Sequence, residues 1–160
     1  MNVKKWGARL VAMVLCLLLI VPAVLAEVTQ QEALQIAKQQ VPASYKLFDV
    51  DRERTSYEFE FRSANKKLEY EVTIDKATGK VLEIEFERRN AKGGTSFKIT
   101  QSKAKKLAKQ QFPGATEKKV TKQRSEGCVY KVKLKGKGYT ATVKLNAQTG
   151  KIIEWEKEFP

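Results

Sequence analysis

The chain has 160 residues, no histidine and only two cysteines, and its 31 Lys and Arg against 18 Asp and Glu give a formal net charge of +13 at pH 7. Without histidine, Ser–His and Cys–His nucleophile arrangements and histidine-based zinc sites are excluded, and the commonest general base is missing. The charge is lopsided. Residues 27–92 carry 12 basic against 13 acidic side chains, whereas residues 93–160 carry 16 against 5, which points to an anionic partner for the second half.

Residues 1–26 read as a secretory signal peptide. Lys4, Lys5 and Arg9 form a basic start, "LVAMVLCLLLIV" an apolar stretch, and "PAVLA" a small-residue exit, predicting cleavage between Ala26 and Glu27. An uncleaved anchor stays open, because the apolar stretch approaches the ~20 residues that span a bilayer. Cys16 lies inside that stretch behind Met13, Val14 and Leu15, so it is no acylation site. Beyond it only Cys128 remains, either a small buried residue or a thiol that pairs between chains.

After the targeting segment the chain repeats itself. Residues 28–87 overlie residues 99–158: "VTQQEALQIAKQQVP" falls on "ITQSKAKKLAKQQFP", and "VTIDKATGKVLEIEFE" on "VKLNAQTGKIIEWEKE". The period exceeds that of solenoid repeats, so a small domain is duplicated. The predicted units are residues 27–89 and 97–160. Residues 90–96, "NAKGGTS", form the linker, in which Gly93 and Gly94 allow a change of direction.

Each unit opens with a helix. Thr29 and Thr100 stand at N-cap positions, and Glu32 completes a capping box where the second unit has Lys103. Ala33, Ile36, Ala37 and Val41 make one apolar stripe, and Ala104, Leu107, Ala108 and Phe112 make its copy. Pro42 and Pro113 end the helices. A weak strand follows around "YKLFDV" and again around "ATEKKV".

The remaining segments alternate with period two, as antiparallel strands with one buried face do. Tyr57, Phe59 and Phe61, then Leu68, Tyr70, Val72 and Ile74, then Leu82, Ile84 and Phe86 face inward in the first unit. Tyr130, Val132 and Leu134, then Tyr139, Ala141, Val143 and Leu145, then Ile153 and Trp155 do so in the second. Gly79 and Gly150 supply positive φ in the "TGK" hairpins between the last two strands. The expected fold class is α+β, with two tandem units that each pack one N-terminal helix on an antiparallel sheet of three or four strands.

The Thr-capped alanine-striped helix, its closing proline, "EVTIDKATGKVLEIE" and its copy "TVKLNAQTGKIIEWE" together resemble the PepSY family, in tandem over nearly all of residues 27–160. The resemblance implies a fold similar to the β-lactamase-inhibitor scaffold and a non-catalytic binding or inhibitory module. Such modules occur in thermolysin-type propeptides and in extracytoplasmic bacterial proteins. It implies a protein partner, with a secreted metallopeptidase foremost.

The outward strand positions supply the candidate binding residues. Glu58, Glu60, Glu69 and Glu71, joined by Glu83, Glu85 and Glu87, line one face of the first unit. Lys131, Lys133, Lys135 and Lys144 line the second, which ends in Glu154, Glu156 and Glu158. Like charges opposite one another destabilise a sheet, so the acidic face calls for a basic neighbour: the second unit, another chain or a partner. The lysines fit anionic wall polymer or lipid headgroups, an adaptor role that is the alternative to peptidase restraint. Nucleic acid is disfavoured by secretion. No catalytic residue, metal site or cofactor is expected: "DVDRER" starts like a calcium loop at Asp49 and Asp51, but Arg52 and Arg54 stand where ligands would be needed.

Overall fold

A computed structural model describes residues 26–160. The predicted signal peptide lies outside these residues except for Ala26, which is exposed together with Glu27. Among the described residues no helix is long and apolar enough to cross a membrane.

The chain runs through α1 (Gln30–Lys38), β1 (Lys46–Arg52), β2 (Ser56–Arg62), β3 (Leu68–Asp75) and β4 (Val81–Arg88), then α2 (Gln101–Gln111), β5 (Thr116–Gln123), β6 (Val129–Gly136), β7 (Tyr139–Asn146) and β8 (Ile152–Glu158). Its sheet is a single antiparallel one of eight strands, in the order β1-β2-β3-β4-β8-β7-β6-β5. The two halves therefore meet as neighbours within one sheet, along a seam between β4 and β8.

The helices form where caps and alanine spacing direct them. Thr29 and Glu32 close a reciprocal capping box on α1, while Thr100 accepts only the Lys103 N–H on α2. Ala33 and Ala37 of α1, and Ala104 and Ala108 of α2, are fully buried. Small side chains there let each helix lie close on β-branched and aromatic partners such as Phe59, Val72, Val132 and Val143.

Aromatic rings close the core across the seam. Phe86 pairs with Trp155 between the two strands, the rings stacked with centroids 5.9 Å apart. Tyr70 and Phe112 meet Trp155 edge-on at 5.7 and 5.3 Å. Contacts of this type contribute about 0.5–1.5 kcal/mol each beyond the area they bury.

Two expectations change. Leu82 does not face the core: a bulge between β3 and β4 pairs Thr73 with Glu83 and Ile74 with Val81, and the extra residue turns outward, 36% exposed. Residues 90–96 are not a free joint either. Gly93 donates to the Glu126 carbonyl, and Gly94 and Cys128 exchange backbone hydrogen bonds at 2.9 and 2.6 Å. Neither glycine has positive φ. They are glycine because a Cβ at Gly93 would lie 2.6 Å from the Gly127 backbone, and one at Gly94 2.5 Å from Gln148 Cβ. Cys128, held by this contact, is buried.

Candidate functional site on the open face of the sheet

Both helices pack on one face, and the pairing register sorts the other face into rows of directly opposed side chains. One row runs Asp49, Glu60, Glu71, Glu85, Glu156, Thr142, Lys133 and Lys119. The row on one side holds Arg62, Glu69, Glu87, Glu154, Lys144 and Lys131. The row on the other holds Asp51, Glu58, Thr73, Glu83, Glu158, Thr140 and Lys135. Carboxylates predominate on the face from β1 through β8, interrupted by Arg62 on β2, and lysines on β6 and β5, with Lys144 on β7 between the two regions.

The second unit does not neutralise the first. It presents its own glutamate strand at the seam, so that Glu83 faces Glu158, Glu85 faces Glu156 and Glu87 faces Glu154. The lysine ribbon of β6 is kept from those glutamates by β7, where Thr140 and Thr142 intervene. Lys144 alone bridges the two charges, 3.3 Å from Glu154 and 3.1 Å from Glu126.

Relief is confined to the rims. Arg62 pairs with Glu60 and, at 2.8 Å, with Glu69, which Arg89 also approaches at 3.4 Å. Glu158 accepts a hydrogen bond from Thr140 Oγ1 at 2.9 Å. Glu60 Oε1 is shielded from solvent and meets Arg62 as an ion pair without hydrogen-bond geometry. Glu58, Glu71, Glu83, Glu85, Glu87 and Glu156 have no ion-pair partner among the described residues.

The carboxyl groups answer by holding protons. Burial, then the Glu156 carboxylate, pushes Glu83 up to about 7, and burial with Glu154 and Glu71 does the same to Glu85. Glu60 also rises to about 7, because burial and Glu69 outweigh Arg62. Glu71 is raised by burial and by Glu58, Glu69 and Asp51. At neutral pH the centre of this face is thus part carboxylate and part carboxylic acid, able to accept donors from a partner or donate to it.

The structure brings Glu58, Glu60, Glu69, Glu71, Lys131, Lys133, Lys135 and Lys144 onto this single face. Gly79 and Gly150, with φ of 69° and 77°, lie in the hairpin turns against the helices, near Val28 and Leu107 respectively. Strand alternation also marks Glu154, Glu156 and Glu158, but their opposition to Glu83, Glu85 and Glu87 exists only once β4 and β8 pair. Asp49 and Asp51 join the face from the edge strand. Among the described residues no group of three or more Cys, Asp or Glu is arranged to hold a metal ion.

No curated protein matches the chain in sequence. Among solved structures it is similar to a protein of Clostridium difficile 630 named as a lipoprotein, at 20% identity and TM-score 0.37, covering 82% of this chain and 94% of that one. It is also similar to a BLIP-like protein of Bacteroides fragilis, at 12% identity and TM-score 0.35, covering 79% and 84%. A cysteine-rich secretory protein of Staphylococcus aureus matches at 11% identity and TM-score 0.39, covering 78% of this chain and 41% of that one. The family model described as peptidase propeptide and YPEB domain matches residues 27–85 and again residues 98–156, and the chain therefore belongs to the PepSY family, whose domain it carries twice.

Proposed function

We propose that this chain is a non-enzymatic binding protein that acts outside the cytoplasm and restrains a peptidase, presenting the open face of its sheet to a basic region of the enzyme. One observation carries the reading: five half-buried glutamates on that face, Glu58, Glu71, Glu83, Glu85 and Glu156, have no ion-pair partner among the described residues. A cationic partner would supply it, drawing Glu83 and Glu85 into their charged form as it binds. Family membership supports a protein partner, since the family takes its description from peptidase propeptides. The signal-peptide pattern supports the location.

The test is inhibition of a thermolysin-type metallopeptidase by residues 27–160 at low and high salt. Saturable inhibition is expected, weakened by Glu71→Lys and Glu85→Lys. Undiminished inhibition by both variants would remove the open face from the contact.

The basic end of the same face favours a second reading. Lys119 faces Lys133, and Lys131, Lys133 and Lys135 have no ion-pair partner among the described residues. An adaptor using them would hold anionic wall polymer or lipid headgroups. Its binding to wall material would collapse with salt and with the charge reversals Lys131→Glu, Lys133→Glu and Lys135→Glu. Failure of inhibition with intact wall binding would select it.

A further inference from the structure

The sheet ends in two edge strands, β1 and β5, which hold corresponding places in the two repeats and present different edges. Open edges expose unpaired backbone groups and are commonly blunted by lysines and bulges. Strand β5 is guarded in this way: Lys118, Lys119 and Lys122 lie along it, Lys118 sits in its bulge, and Lys105 of α2 pairs with its Glu117 at 2.8 Å. Strand β1 has the bulge as well, but its bulged residue is Phe48.

Three large apolar side chains are exposed among the described residues, and two of them, Leu47 at 39% and Phe48 at 51%, are neighbours on β1. The Phe48 ring lies over the Arg62 guanidinium, 3.3 Å from ring centroid to Cζ, so it is held out at the edge in one place. Beside Leu47 a cleft of about 440 Å³ opens between the end of α1 and the strand, lined by Lys38, Val41, Pro42, Tyr45, Lys46 and Phe61. Beyond the bulge, Asp49–Arg52 pair with Glu60–Tyr57 without a break. Along that stretch Asp49 and Asp51 fall on the open face, next to Glu60 and Glu58, while Val50 pairs with the buried Phe59 on the helix side.

We propose that the outer edge of β1 is a docking strand that accepts an extended polypeptide segment of a partner protein, one with alternating basic and apolar side chains. Backbone pairing with Asp49–Arg52 supplies the attachment, the Val50 N–H exchanging its acceptor in the free chain, Asp49 Oδ1 at 2.8 Å, for a carbonyl of the segment. Basic side chains of the segment fall opposite Asp49 and Asp51, where opposite charges across a ladder stabilise and like charges do not. Its apolar side chains extend the surface begun by Val50, Leu47 and the cleft. The same charges exclude β1 of a second copy, which would set aspartates against aspartates. This surface is the rim of the sheet and does not depend on the open face restraining a peptidase.

A fluorescein-labelled peptide, Lys-Val-Lys-Leu-Lys-Val-Lys, tests it against folded residues 27–160 with no peptidase present. Saturable binding by anisotropy is expected, with amide shifts confined to residues 47–52 and their β2 neighbours. Asp51→Lys and Val50→Pro should each weaken binding at least about tenfold; Asp51 is surface-exposed, so that variant keeps the fold if Val50→Pro does not. The same peptide N-methylated at alternate residues keeps its charge and loses its ladder donors, and it should not bind. Equal binding of the methylated peptide, loss of binding on Glu85→Lys but not on Asp51→Lys, or self-association of the chain through β1 would each overturn the proposal.

Discussion

Glu85 is half-buried at the middle of the sheet, with Glu156 directly across the seam and Glu71 on its other side. A carboxyl whose folded pKa rises from 4.5 to about 7 stabilises the fold fully at pH below 4.5, and that stabilisation is lost as pH climbs through about 7. Glu60 and Glu83 act in the same direction. The melting temperature is therefore expected to fall between about pH 5 and pH 8. Glu85→Gln, which cannot ionise, should melt higher than the parent at pH 8, match it near pH 4.5 and flatten the slope between them. Thermal melts across that range check it, and an unchanged slope would show that Glu85 is ionised throughout. Alternation in the sequence was enough to put Glu85 on the polar side of its strand. Nothing local could reveal that its neighbour would be another glutamate, because that neighbour lies in the other repeat.

At the scale of elements, the helices and the "TGK" hairpins were legible because their signals are local. Thr caps, alanine spacing, closing prolines and a positive-φ glycine each act within a few residues. The caps also differ between the repeats in a way that can be measured. On α1, Glu32 accepts the Thr29 N–H at 2.8 Å, while on α2 the same position is Lys103, whose charge opposes the positive end of the helix. Lys103→Glu should raise stability by about 0.5–1 kcal/mol, and urea unfolding at constant m-value checks it. The edge strands, the bulge at Leu82 and the packing of Gly93 on Gly127 were less legible, since each depends on which backbone passes nearby. Two glycines in a polar stretch read equally well as a hinge or as a close approach, and the chain uses them for the second.

At the scale of the whole molecule, the two halves share one sheet and one core, with Trp155 where the halves touch. Trp155→Ala should cost about 3–5 kcal/mol and uncouple the halves. Calorimetry is expected to resolve two transitions in the variant against one in the parent, and a single transition in both would place the cooperativity elsewhere. The duplication was plain from the sequence, but a period carries no information on which strands of the two copies will pair. The seam answers that with a particular geometry. Glu85 and Glu156 hold the same place in the two repeats and sit directly opposite each other, so a pseudo-dyad passes between them, and whatever side chain occupies this position must meet its own copy. In a dimer of identical chains that meeting would be compulsory, and no single substitution could set unlike charges across the axis. Fusion into one chain lifts the constraint: Glu156→Lys alone would exchange a clash for an ion pair. The same freedom is visible in how far the two halves have already parted in charge.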